Sequence, residues 1–439
     1  MRKPSPGLLR DHDFRQLFGA DTISQLGTQV SFLALPLVAI RSLHAGNLAI
    51  GVLTACETLA FLLVGLPAGA WVDRMRRRSV LITGDVGRAV VLLSVPLAWW
   101  AGVLTMAQLF VVAVVAGVLT VFFDVAYQSY LPHLVGRDNL VEGNAKLEAV
   151  RGVSQVAGPP LAGVLIGWLT APFAVFLDAA SYLASALLVR RIRRLEQRPV
   201  PGPEAHLGRE IREGLRFVLG NPMLRAIAAC TGTSNLCSTI AGTMFIVLLA
   251  RTLNLPAVVI GLFASVGALG GLVAAFTATA IARRLGQGPT IWISVAVTGP
   301  FAVLQAITQR GWLLVAAALG TGVWAFGAVV YNIVQVSFRQ GLTPERLLGR
   351  MNASMRFLVW GTMPVGGLIG GVLGATIGVR PTVWVGAVLG ALTFLPVYLS
   401  PLRGMRELPR DPGQGAGPDG AVGPPVPGGD RPVPVTGAP

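Results

Sequence analysis

Six carboxylates fall inside or at the ends of long apolar runs: Asp21, Glu57, Asp85, Asp124, Glu148 and Asp178. A charge held in hydrocarbon costs about 2.5–3.5 kcal/mol even on lenient insertion scales, so each needs a partner or a task. The chemistry open to such a carboxyl is proton uptake and release, or an ion pair. All six lie in the first half of the chain. Between Glu213 and Glu407 the only acid is Glu345, and it falls between apolar runs. A proton-carrying carboxyl must therefore come from the first half. Glu57 is the leading candidate: it sits deep in Thr54-Ala55-Cys56-Glu57-Thr58 with no basic residue near it in sequence. The alternative for Glu57 is a neutral, hydrogen-bonded structural group. Asp21 is the second candidate, nearer the start of its run and more open to water. Asp85 and Arg88 are three residues apart, on one helical face, and are expected to pair. Asp178 is expected to make a structural hydrogen bond.

Other reactive residue types lack company. The histidines, His12, His44, His133 and His206, fall in terminal or loop positions. Cys56, Cys230 and Cys237 lie in apolar runs without metal or disulfide spacing. No GxxxxGK[ST] loop is present to hold ATP. The residues thus give no metal site, no cofactor and no paired nucleophile and base.

The surrounding composition dictates where these charges sit. The chain has 439 residues, 53% hydrophobic and 13% charged, with a mean hydropathy of +0.66. A soluble domain carries about 25% charge, so this chain cannot solvate a globular surface. Apolar stretches of spanning length fall near 15–40, 48–72, 79–101, 104–127, 148–169 and 172–190. Six more fall near 224–250, 257–282, 289–308, 312–338, 353–376 and 381–401. A spanning helix needs about 20 apolar residues. The expected fold is an all-α integral membrane protein with twelve transmembrane helices in two pseudo-symmetric six-helix bundles. The bundles occupy 1–190 and 223–403. A cytoplasmic linker, 191–222, joins them. Its charges alternate with Ile211, Leu215, Phe217 and Val218, which suggests an amphipathic helix on the membrane surface. Residues 404–439 form a Gly/Pro-rich tail, expected to be disordered and cytoplasmic.

Charge fixes the expected orientation. The net charge is +15, mostly arginine, and in so apolar a chain it marks cytoplasmic loops rather than nucleic-acid binding. With the N-terminus inside, 30 of 35 basic residues fall on the cytoplasmic side. The opposite loops hold Arg41, Arg251, Arg310 and Arg380, and Arg88 lies within the third span. Both termini are therefore expected in the cytoplasm. The first apolar run has no small-residue cleavage site before it and is expected to be retained. The arginine and alanine bias suggests a bacterial protein, hence the bacterial cytoplasmic membrane.

The two halves repeat at an offset near 208–210. Ile50-Gly51 meets Ile260-Gly261, and Arg74 meets Arg284. Leu140, Asn144, Ala145 and Gly158 meet Leu348, Asn352, Ala353 and Gly366; Asp124 meets Asn332. Parallel six-helix repeats are the symmetry of the major facilitator superfamily. Residues 65–78, GLPAGAWVDRMRRR, resemble that superfamily's loop signature at Gly69, Asp73, Arg74, Arg77 and Arg78, with Arg76 where a Gly is usual. Phe14-Arg15-Gln16-Leu17-Phe18, Ile23-Ser24-Gln25-Leu26-Gly27, Asp85 with Arg88, and Asp178-Ala179-Ala180-Ser181-Tyr182 resemble the drug-efflux branch that includes macrolide exporters and the enterobactin exporter. Thr28 stands where that branch often has Asp. Gly158-Pro159-Pro160-Leu161-Ala162-Gly163 is similar to the antiporter motif of exporters, here reduced to Gly158, Pro159 and Gly163; close helix packing explains it nearly as well.

The resemblance implies a gating loop at Asp73, which would meet the start of span 11, with Asn352 and Ser354 as companions. It also implies a substrate cavity between the central spans. Candidate lining residues are Gln25, Gln29, Phe32, Asn235, Met244, Trp324, Tyr331, Asn332 and Met363. An aromatic and amide lining suits a bulky amphipathic compound. The expected function is proton-coupled export of such a compound by a monomer whose partners are substrate, protons and lipid. A siderophore exporter, a lysophospholipid flippase, or a non-transporting scaffold or sensor are the alternatives.

Overall fold

The computed structural model describes residues 7–405, apart from 66, 73, 137–138, 195 and 197–206. Asp73 and the tail from 406 onward lie outside the described residues. Every regular element among those described is a helix. The first bundle comprises α1 (His12–Ser42), α2 (Asn47–Leu63), α3 (Arg77–Trp100), α4 (Met106–Val135), α5 (Leu140–Leu169) and α6 (Ala171–Arg190). A short helix, α7 (Leu207–Gly220), precedes the second bundle. That bundle comprises α8 (Pro222–Thr252), α9 (Ala257–Leu285), α10 (Gln287–Ala306), α11 (Trp312–Leu342), α12 (Leu348–Thr376) and α13 (Val379–Tyr398). Eleven of these helices are long and apolar enough to span a membrane. The twelfth, α2, is apolar but has 17 residues, about 26 Å at 1.5 Å per residue. With twelve crossings the described ends, near residues 7 and 405, share one side, the terminal face.

Local sequence sets several boundaries. Asp11 caps α1 by accepting from the N–H groups of Asp13 (2.8 Å) and Phe14 (3.0 Å). Asn221 does the same for α8 at 2.9 and 3.3 Å, with Pro222 in the first turn.

The repeat seen in the sequence is also a repeat of packing. In the first bundle α1 packs on α5 and α6, α2 on α4, and α3 on α4 and α6. In the second, α8 packs on α12 and α13, α9 on α11, and α10 on α11 and α13. Two crossings join the halves, α2 with α12 and α5 with α9, and each is the image of the other. Backbones touch there. A Cβ on Gly51 would meet the backbone of Gly367 and Gly371, and one on Gly261 would meet the Pro159 carbonyl. Small residues permit that approach in a membrane, where dispersion and not water drives association.

The linker helix α7, expected to be amphipathic, docks on the start of α12. Gly214 sits against the Arg350 backbone and the Ser354 hydroxyl, and Val218 is buried. Glu213 accepts from Arg350 at 2.5 Å and lies 3.8 Å from Arg346. The apolar face seen in the sequence therefore covers protein.

Candidate functional site

A cavity of about 750 Å³ lies between the two bundles, within the range of small-molecule sites. It runs from Pro36, Ile50 and Leu249, near the helix ends opposite the terminal face, to Arg339 and Arg356 near the terminal-face ends of α11 and α12. Phe32, Asn235, Trp324, Tyr331, Asn332 and Met363 of the expected lining are on its wall. Gln25, Gln29 and Met244 are elsewhere. Gln25 lies beside Asp21. The stem of Gln29 fills the space left by Gly158, and Met244 is fully buried against Gly374. The second bundle supplies most of the wall, including Thr298 and Gln305 of α10 and Gly386 of α13.

Glu57 lies on this wall, on α2. Among the described residues no hydrogen bond or ion pair reaches its carboxyl. Thr54, about one turn before it, and the adjacent Thr58 also line the cavity, and Thr58 Oγ1 donates back to the Thr54 carbonyl at 3.0 Å. Asp21 is buried behind the cavity wall, facing Gln25 and Tyr127 with Arg151 and Asp124 beyond.

Asp85 and Arg88 form a fully enclosed pair at 2.5 Å. Ser185 donates to the other Asp85 oxygen at 2.7 Å. The Arg88 guanidinium is stacked 4.2 Å from the rings of both Phe123 and Tyr182. Tyr182 shares a 2.9 Å hydrogen bond with Thr28, and Asp178 accepts from Ser181 at 3.1 Å. These groups tie α1, α3, α4 and α6 together inside the first bundle and do not reach the cavity.

The far face is closed by two copies of one device. α1 and α8 each end in a five-residue π-helical turn, Val38–Ser42 and Leu248–Thr252, followed by a residue with positive φ, His44 and Asn254. Arg41 reaches across to donate to the Leu255 carbonyl at 2.7 Å. Arg251 reciprocates onto the Ala45 carbonyl and donates to Asn47 Oδ1 at 3.0 Å. Asn47 in turn donates to the Gly374 carbonyl at 2.7 Å. Below this seal α5 and α9 remain in contact to mid-height. Pro160 cannot donate to the Val156 carbonyl, and Ser265 Oγ does so at 2.8 Å. The cavity is shut at the far face and extends toward the terminal face.

The motif on α5 belongs to this seal. Gly158 admits Gln29, the Pro159 carbonyl meets Gly261, and Gly163 lies against Ala257 and Val258. The loop signature is only partly described. Gly69 lies in the short helix Pro67–Val72 and Arg74 is exposed. Arg77 and Arg78 open α3, and the Glu196 carboxylate accepts from their backbone N–H groups at 2.9 and 3.1 Å. A carboxylate at a helix start satisfies unpaired donors and the helix dipole together.

Sequence reasoning missed Arg339 and Arg356 as cavity residues, counting both among the basic residues of cytoplasmic segments and helix ends. The available signal was spacing: Trp324, Tyr331, Asn332, Gln335 and Arg339 share one helical stripe, as do Arg356, Trp360 and Met363.

Comparison with known proteins agrees with this architecture. The family model described as Major Facilitator Superfamily matches residues 17–361. The multidrug efflux pump Tap of Mycolicibacterium fortuitum is 28% identical over 382 residues, covering 83% of this chain and 90% of that protein. The enterobactin exporter EntS of Citrobacter koseri is 25% identical over 348 residues, covering 79% and 81%. A bacterial homologue of the iron transporter ferroportin, solved in an inward-facing state, superposes with a TM-score of 0.71 at 18% identity, covering 90% of this chain and 99% of that one. That likeness concerns fold alone. The twelve-helix architecture, the duplicated halves and the match over most of the chain make this a multi-pass membrane transporter and not an enzyme: the chain belongs to the Major Facilitator Superfamily.

Proposed function

We propose that this transporter is a proton-coupled exporter of a bulky amphipathic small molecule, working by alternating access in a bacterial cytoplasmic membrane. The observation that carries the reading is Glu57, a carboxyl without a partner among the described residues, on the wall of a cavity closed at one end. A carboxyl so placed meets substrate and proton in the same space. The multidrug pump among the relatives supports export of an amphipathic compound, and the enterobactin exporters support a siderophore as the second reading. An open central cavity argues against a non-transporting scaffold. The protein is taken to act as a monomer, with lipid around its outer helices. The loop containing Asp73 is taken as the terminal-face gate, meeting the start of α12 when that face closes.

The energetics are sufficient. One proton moving through 100 mV gains about 2.3 kcal/mol, roughly a fifty-fold concentration ratio. Glu57→Gln preserves shape and hydrogen bonding but cannot release a proton. It is expected to abolish uphill transport driven by a pH gradient in proteoliposomes while retaining substrate binding. Uphill transport at the wild-type rate would make Glu57 structural and leave Asp21 as the next carboxyl to test.

A further inference from the structure

The wall of the cavity is cationic at its terminal-face end. Arg339 and Arg356 line it from α11 and α12. Neither has a carboxylate within ion-pair distance among the described residues. The Arg339 Nε is buried without a hydrogen-bond partner. The Arg356 guanidinium lies 5.1 Å from the ring of Trp360, which also lines the cavity. Asp124, on α4 of the other bundle, lies within electrostatic reach of Arg356 without touching it.

The chain handles a structural arginine differently. Arg88 has Asp85 at 2.5 Å and a ring on either side. The second bundle has no equivalent acid to offer, since its sequence between Glu213 and Glu407 contains only Glu345. Two cations without a carboxylate partner among the described residues, on the wall of a ligand-sized cavity, are suited to hold an anion. Higher on the same α11 stripe, Tyr331 and Trp324 present rings. Eight residues separate Arg339 from Tyr331, or about 12 Å along the helix.

We infer that the cavity takes an anionic amphiphile, its acidic group held between Arg339 and Arg356 and its ring system against Tyr331, Trp324 and Phe32. This rests on reading the cavity as the substrate site and adds the sign of the substrate's charge. The acid could belong to a soluble metabolite or to a lipid headgroup; carboxylate, sulfonate and phosphate share the chemistry that a guanidinium recognises.

The test compares three probes with one aromatic body: pyrenebutyrate, neutral pyrenebutanol and the cation pyrenebutyl-trimethylammonium. Saturable binding is measured to the full chain in phosphatidylcholine nanodiscs, against empty nanodiscs. Pyrenebutyrate should bind about tenfold more tightly than pyrenebutanol, and the cation most weakly. Arg339→Gln and Arg356→Gln should each remove about tenfold of the acid's affinity and leave pyrenebutanol unchanged, with Arg→Lys losing less. Retained pyrenebutanol binding reports a folded cavity. Should Arg339→Gln not fold, the exposed Arg356 decides alone. Displacement of pyrenebutyrate by lysophosphatidylglycerol would assign the acid to a lipid; failure to displace it would assign a soluble compound. Equal binding of acid and alcohol, preference for the cation, or acid binding indifferent to Arg356→Gln would overturn the inference. No proton gradient is applied, so a failure of proton-driven export leaves this result standing, and the reverse also holds.

Discussion

Arginine is expensive inside a membrane, and this chain holds it in three ways. Arg88 is neutralised by Asp85 and stacked between Phe123 and Tyr182. Arg41, Arg251, Arg310 and Arg380 donate to backbone carbonyls at the far-face ends of helices and in the turns after them; Arg380, for example, bonds the Ala306 and Thr308 carbonyls at 3.0 Å. Ala306 ends α10, whose last carbonyls the helix leaves unsatisfied, and the other carbonyls lie in the turns between helices. Arg339 and Arg356 instead face the cavity. The three settings predict different costs. Asp85→Asn strands a buried cation, which costs about 3–5 kcal/mol, and should lower the detergent-solubilised Tm by many degrees. Arg356→Gln, at an exposed position, should change stability by about 0.5 kcal/mol or less. Equal thermal shifts in the two variants would contradict this division. The Asp85–Arg88 pair was legible in the sequence because both partners lie on one helix three residues apart. The tasks of Arg339 and Arg356 were not, because their distinction from loop anchors depends on which neighbouring helix faces them. Gln29 and Met244 show the same limit in reverse: a polar or flexible residue on a central helix fills a gap left by Gly158 or Gly374.

The duplicated far-face turns were visible in the sequence only as an offset near 210. The offset predicted a repeat, and the structure adds that both copies are π turns whose arginines exchange places across the pseudo-twofold axis. A hydrogen bond from a charged donor contributes about 1.5–3 kcal/mol net, so the two together can bias the seal by tenfold or far more. Arg41→Ala with Arg251→Ala should therefore raise the share of molecules open at the far face. With Cys56, Cys230 and Cys237 replaced by Ala, a cysteine at the cavity residue Ser238 should react about tenfold faster with an impermeant maleimide applied to that face. Each single substitution should give an intermediate rate. An unchanged rate in the double variant would mean that apolar packing around Val38 and Leu249 holds the seal by itself. The amphipathic face of α7 was equally legible, but its partner was not. Docking on α12 requires Gly214 to meet the Arg350 backbone, a match that two distant segments make only once folded.

Sidedness is the property on which the direction of transport depends. The cavity is closed at the far face and extends toward the terminal face, so if the termini are cytoplasmic the structure is the one that loads substrate from inside the cell. Reversing the protein in the membrane would convert the same geometry to uptake. The physical basis for the orientation is arginine counting. Short loops rich in Lys and Arg are retained on the cytoplasmic side, and the effect does not depend on net charge. In this chain the division is 30 to 4, with Arg88 inside a span. Hydrogen bonding strengthens the contrast: the four far-face arginines, three of them as exposed as Arg209, Arg212 and Arg216 on α7, are engaged with backbone carbonyls. The prediction is a topology experiment in the cysteine-free background. A cysteine replacing Arg212 on α7 should stay unlabelled by an impermeant maleimide in intact cells and label once the membrane is permeabilised. A cysteine in place of the exposed Trp312, at the start of α11 on the far face, should label in intact cells. The opposite pattern would place the termini outside, and the loaded cavity would then face the exterior, which is incompatible with export from this conformation.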